Sequence, residues 1–298
     1  WTGYETGNPP SGKRYGNPYL HTPQDSQTYE GEFGPNVFTE YLIDFMRRNH
    51  QHPMFLYFPM ALTHTPFVTT PDDRDAESDM EKHKAMVRYT DACVGRLVDA
   101  LEELKIRDNT IIVFTTDNGS TRSITGSRNG RKVDGAKAKK TESGICAPFI
   151  VNCPGTVPVG VTNALTDFTD LAPTFCDLAQ THMPQSVTID GVSIAPLLRG
   201  NADDTPRDWI LSMGHGPAKL DEKGVRGVHD FATRVIRDKR YKVWVNHDRE
   251  IDQLYDLKND PFEEQNLLSS ENADIQSVLQ KFQEIVDTMP PTDARPQY

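Results

Sequence analysis

The apolar positions alternate between two periods along the chain. Val37, Phe38, Tyr41, Leu42, Phe45 and Met46 recur at helical spacing, which predicts a helix over 36–49 that ends before His52-Pro53. Met54-Phe55-Leu56-Tyr57-Phe58 is a continuous apolar run, the pattern of a strand buried on both faces. A loop follows at Leu62-Thr63-His64-Thr65-Pro66. Met86, Tyr89, Cys93, Leu97, Leu101 and Leu104 step by three and four and predict the longest helix, over 78–104. Thr110–Thr115 reads as a second buried strand that ends in Thr116-Asp117-Asn118-Gly119, and Pro148–Val151 as a third. The polar, basic stretch 120–143 between them reads as a loop, and Asp170–Ala179 as a short helix with Pro173 in its first turn. Strand, long helix, strand, loop, strand is the order of parallel α/β crossovers, in which ligands gather at the carboxyl ends of strands.

Beyond Gly200 the pattern changes. Phe231–Ile236 and Tyr241–Val245 predict a hairpin, Gln253–Leu257 a further strand, and 272–287 a closing helix with Ile275, Val278, Leu279, Phe282 and Ile285 on one face. The expected division is therefore a larger α/β unit over 1–200 and a smaller antiparallel unit over 201–298.

Composition narrows the function. The 298 residues carry 32 basic and 43 acidic side chains, a net charge of −11, with no basic run, which argues against nucleic acid as the partner. The longest apolar stretch, near Met54–Leu62, is far short of a membrane span. Cys93, Cys146, Cys153 and Cys176 match no zinc spacing and are too few for a disulfide scaffold, so they are expected to be mostly buried thiols.

Three places have chemistry to offer. Asp117-Asn118-Gly119 has the composition of a turn, but a carboxylate next to a carboxamide at a strand end also suits a hard cation such as calcium or magnesium. His64, just past an apolar run, is either a hydrogen-bonded structural residue or a proton donor to a leaving group. Lys137, in Gly135-Ala136-Lys137-Ala138-Lys139-Lys140, is either a solvated loop cation or an ammonium that stabilises an anionic group. No G-x-S-x-G, Walker loop or H-E-x-x-H occurs, and nothing else supplies a nucleophile.

Taken together, these segments resemble the type I, formylglycine-dependent sulfatases of the alkaline phosphatase superfamily. The resemblance rests on Gly12–Pro18, Gly34–Phe38, Phe58–Phe67 around His64, Tyr89–Leu97, Val113–Gly119, Gly135–Ile145 and Asp170–Thr174. It extends to Leu254-Tyr255-Asp256-Leu257 with Asn259-Asp260-Pro261, Glu264 and Asn266-Leu267. It implies a sandwich of a mostly parallel central sheet with helices on both faces, plus a small C-terminal antiparallel sheet with a packing helix. It also implies hydrolysis of a sulfate ester, more specifically of a sulfated carbohydrate, in the periplasm or outside the cell. Asp117 and Asn118 would hold calcium, Lys137 would contact sulfate, and His64 would protonate the leaving alcohol. Arg122, Arg128, Arg131, Arg226 and the segments around His215 and His229 are candidates to meet the rest of the substrate, or else are solvated charges.

The sequence departs from the family pattern in two ways. There is no C/S-x-P-x-R; Cys146-Ala147-Pro148 begins like it, but Ile150 stands where Arg is required. The early Asp-Asp pair is also missing, since neither Asp72-Asp73 nor Asp203-Asp204 follows an apolar strand. The expectation is a carboxyl-terminal part of a sulfatase, opening at Trp1 without the amino-terminal part of the core. Such a chain would bind calcium weakly, turn over no substrate alone and associate through exposed sheet edges. The other readings are a phosphodiesterase or phosphonate hydrolase of the same superfamily, and a non-catalytic domain that binds sulfated glycans.

Overall fold

The computed structural model describes residues 15–21, 26–186, 188–214, 218–221, 224–227 and 229–293. The chain forms two compact units, 1–111 and 112–298. The boundary drawn at residue 200 from the sequence falls inside the second unit.

In the first unit, β1 (Tyr19–His21) and β2 (Ser26–Thr28) form an antiparallel ribbon before α1 (Gly34–Asn49) and α2 (Asp79–Glu103). Pro35 opens α1, where its missing N–H costs nothing, and Thr39, Ile43 and Met46 form its buried stripe. That stripe is rotated from the predicted one, and Tyr41 is exposed. Ser78 starts α2 with a reciprocal capping box to Glu81, and Met86, Tyr89, Cys93 and Leu101 are buried along it. The predicted strand 54–58 is not a strand: no ladder forms there among the described residues, and Phe55 and Tyr57 are 70% and 78% exposed. An apolar run carries burial potential, but strand geometry needs a hydrogen-bonded neighbour.

The second unit opens with β3 (Ile112–Thr115), followed by the hairpin of β4 (Thr125–Arg128) and β5 (Arg131–Asp134). Asn129 and Gly130 join that hairpin with φ of 52° and 77°, the left-handed pair that a tight two-residue turn requires. The stretch read as a loop therefore contains a ribbon, and Asn-Gly was its signal. The short α3 (Glu142–Ile145) leads into β6 (Phe149–Asn152). β3 and β6 pair antiparallel, Ile112 with Asn152, and not through the expected parallel crossover. The reason lies in the connection: a ribbon and one helical turn return the chain on the same edge, whereas parallel neighbours need a long crossover.

Next come α4 (Leu171–Leu178) and α5 (Ala195–Leu198). Asp170 pins this region. Fully buried, it accepts from Asp167 N and Val192 N at 2.8 Å each and takes a two-pronged contact from Arg207. The remaining elements are β7 (Ile210–Met213), β8 (Ala218–Asp221), β9 (Gly224–Gly227), β10 (Arg234–Arg237), β11 (Tyr241–Val245), β12 (Ile251–Asp256) and α6 (Ala273–Thr288). β12, β11, β10 and β7 form an antiparallel sheet in that order, and β8 pairs with β9. Alternation along the strands gives the sheet two different faces. Ile236, Val243, Val245 and Leu254 meet Phe282 and Val286 of α6 in an apolar core. Each such side chain contributes about 1.5–3 kcal/mol on full burial. Lys242 and Trp244, one residue out of phase, point to the other face.

None of the four cysteines forms a disulfide among the described residues; Cys93 and Cys153 are buried, Cys176 is half-buried and Cys146 is exposed. Among the described residues no helix is long and apolar enough to cross a membrane.

Candidate active site

The end of β3 is built as the sequence suggested. Thr116 Oγ1 donates to the Asn118 carbonyl at 3.1 Å and folds the chain back on itself. Asn118 Nδ2 donates to the Gly119 carbonyl at 2.9 Å. That bond orients the carboxamide and leaves Oδ1, the atom a hard cation prefers, to accept elsewhere. Asp117 is exposed, and its carboxylate has no hydrogen-bond or ion partner among the described residues.

The Lys137 loop is zipped to this strand end through the backbone. Gly119 N donates to the Gly144 carbonyl at 2.9 Å, Lys137 N to Ser120 at 2.9 Å and Gly135 N to Ile124 at 2.8 Å. The approach is too close for side chains: a Cβ on Gly119 would lie 1.9 Å from the Ser143 carbonyl oxygen, and one on Gly144 would lie 2.2 Å from that of Lys139. Asp117, Asn118 and Lys137 thus sit on two loops joined by a short ladder. The half-buried Lys137 side chain is unpaired among the described residues. Ala138 adopts φ of 69°, and a left-handed alanine costs about 1–2 kcal/mol.

His64 belongs to the first unit. The turn around it is held by His64 N donating to the Ala61 carbonyl at 3.1 Å and by Tyr15 Oη, which donates to Ala61 at 2.9 Å and also to the His64 carbonyl. The peptides Leu62–Thr63 and Thr65–Pro66 are cis. The exposed imidazole places Nδ1 2.7 Å from the Thr65 carbonyl. A carbonyl only accepts, so Nδ1 carries the proton and Nε2 is the nitrogen available for chemistry.

Of the remaining candidates, Arg122 and Arg128 are exposed, while Arg131 is engaged with Glu264 at 2.6 Å and stacks over Phe262. His215 lies outside the described residues. Among the described residues no group of three His, Cys, Asp or Glu side chains converges as a metal cluster. The donor set at the strand end, one free carboxylate oxygen pair and one carboxamide oxygen, fits part of a calcium shell, which takes six to eight oxygens.

Within Asp260-Pro261-Phe262-Glu263-Glu264 the sequence did not single out Glu263; Glu264 is the exposed partner of Arg131, and Glu263 is the carboxylate turned inward. Glu263 accepts from Lys242 Nζ at 3.0 Å, Glu142 N at 2.6 Å and Trp244 Nε1 at 3.1 Å. A second anchor follows. Lys140 donates to Thr233 Oγ1 and lies 5.2 Å from the Trp244 ring, and burial pushes its ammonium pKa down, partly opposed by Asp252.

A family model described as Sulfatase matches residues 4–181, and one described as N-sulphoglucosamine sulphohydrolase, C-terminal, matches residues 137–289. The chain is 30% identical over 258 residues to arylsulfatase A of Homo sapiens, covering 80% of this chain and 49% of that protein. It is 32% identical over 176 residues to N-acetylgalactosamine-6-sulfatase of Sus scrofa, covering 57% and 34%. The chain thus spans between a third and a half of the length of these curated relatives. Among solved structures, Ps i-CgsB superposes with a TM-score of 0.70 at 23% identity, covering 92% of this chain and 59% of that one. A chain from work on the metabolism of multiple glycosaminoglycans by Bacteroides thetaiotaomicron gives 0.71 at 19% identity, covering 91% and 62%. These likenesses show a shared mixed α/β, alkaline-phosphatase-like fold with an antiparallel C-terminal sheet. With a family model matching more than half of its residues, this chain belongs to the sulfatase family.

Proposed function

We propose that this chain supplies the metal-binding, sulfate-binding and leaving-group side of a sulfuric ester hydrolase that acts on a sulfated carbohydrate. The observation that carries the reading is the backbone ladder from Gly119 and Ser120 to Gly144 and Lys137, which sets a carboxylate, a carboxamide and an ammonium on adjoining loops. Lys137 binds a sulfate oxygen and stabilises charge as it builds there. His64, with Nδ1–H donated to Thr65, acts as an acid from Nε2 only in its imidazolium form. Asp117 and Asn118 would hold calcium, or alternatively magnesium, and the bound cation would polarise the sulfate oxygens. The nucleophile is not contributed by a C/S-x-P-x-R within these 298 residues. The carbohydrate assignment draws on the N-acetylgalactosamine-6-sulfatase and the Ulvan-active sulfatase among the relatives. A periplasmic or extracellular location goes with it.

The test is sulfate release from N-acetylgalactosamine 6-sulfate and from an aryl sulfate by the full-length protein, with and without calcium chelation. Release that stops on chelation supports the reading. Binding of the sulfated sugar with no release from either ester would leave the glycan-binding reading in its place.

A further inference from the structure

Lys242 is a charged side chain with no exposed surface, placed on the sheet face opposite the apolar core. Its three N–H donors meet three acceptors: the Lys140 carbonyl at 2.6 Å, Glu142 Oε1 at 3.1 Å and Glu263 Oε1 at 3.0 Å. Arg237, directly across the ladder from Lys242, donates to the other Glu142 oxygen at 2.5 Å. Two like charges opposite each other on a sheet repel; here Glu142 is drawn between them, and Glu263 closes a neutral set of four charges. Buried ion pairs add little to stability compared with apolar packing, but their directional bonds fix geometry.

What this set fixes is the loop before it. Lys242 grips residue 140, three positions after Lys137. Glu263 and Lys242 together hold both the backbone and the side chain of Glu142. Two residues later, Gly144 accepts from Gly119 and packs against the carbonyls of Ala136 and Lys139. We propose that the Arg237–Lys242–Glu142–Glu263 cluster is the device that sets the Lys137 loop against the strand end bearing Asp117 and Asn118, with Lys242 and Glu263 as positioning residues for Lys137. The C-terminal sheet is then part of the catalytic apparatus through its polar face. The inference rests on the role proposed for Lys137, but its first readout does not.

The experiment compares Glu263→Gln, Lys242→Met and the exposed control Glu264→Gln in the full-length protein. Amide hydrogen exchange is followed at Gly119 and Lys137, and at Val243 and Leu254 in the apolar core. Binding of inorganic sulfate and the split between kcat and KM are measured alongside. The expected result is exchange roughly tenfold faster at Gly119 and Lys137, with little change at Val243 and Leu254, in the first two variants only. Sulfate affinity falls in parallel. Unchanged protection at Gly119 and Lys137, or an equal loss across core and loop, overturns the proposal. If Lys242→Met does not fold, the near-isosteric Glu263→Gln decides. A wild-type protein that neither binds nor releases sulfate defeats the proposed function, while the exchange pattern still judges the positioning role.

Discussion

Two sets of charges flank the 137–142 loop of the second unit and are treated in opposite ways. At the end of β3 and in the loop after β5, Asp117 and Lys137 have side chains with no ion partner among the described residues. Behind them, Glu142, Arg237, Lys242 and Glu263 are paired so completely that each N–H of the Lys242 ammonium is used. A protein that needed these charges only for stability would pair the first set as well. The difference teaches a division of labour: the paired set holds the backbone still, and the unpaired set is left to meet something from outside. Asp170 with Arg207 belongs to the paired class, and His64, tethered by one nitrogen, to the unpaired class.

Four substitutions sharpen or break this contrast. The largest effect is expected on stability at Asp170, where Asp170→Asn leaves the Arg207 guanidinium without its charge partner and costs about 3–5 kcal/mol, read as a shift in the denaturant midpoint. Lys137→Ala should do the reverse: kcat/KM for sulfate release falls roughly 10²–10³-fold, the loss typical of one oxyanion donor, while the denaturation midpoint stays put. A midpoint that moved with activity would erase the distinction between the two sets.

Acid provides the third test. The hydrogen bonds from Arg240, aided by Asn259 and Lys258, hold the Asp256 carboxyl below its ordinary value. A carboxylate with a depressed folded pKa stabilises the fold above its unfolded value of about 3.9 and loses that contribution as the pH falls through the folded value. Urea midpoints measured from neutral pH downward should therefore drop below about pH 4, and Arg240→Ala should flatten the drop. An acid limb identical in the variant would assign the loss to other groups. The smallest effect is Ala138→Gly, which relieves the left-handed alanine and raises stability by at most about 1 kcal/mol, because glycine also frees the unfolded chain. A decrease would mean that the Ala138 methyl group packs usefully in the loop.

The strand end that carries Asp117 and Asn118 was legible in the sequence. An apolar strand running into Asp117-Asn118-Gly119, and a His just past another apolar run, are local patterns, and local patterns survive folding. The hairpin at Asn129-Gly130 was equally local and went unread inside a basic stretch. Glu263 and Glu264 were indistinguishable, since adjacent identical carboxylates differ only in which one the backbone turns inward. Glu263 has φ of 58°, and Lys242 waits on its side.

The sequence by itself determined the family, the helices, the strand ends and the chemistry of the groups at them, because periodicity, capping and turn composition act over a few residues. Only the tertiary structure decided that β3 and β6 run antiparallel, that residues 54–58 form no ladder among the described residues, and that Lys242 is a buried cation. Those outcomes depend on partners a hundred residues away, such as Lys140 and Glu142 for Lys242. Pairing and desolvation are properties of what meets across the fold, and no local pattern carries them.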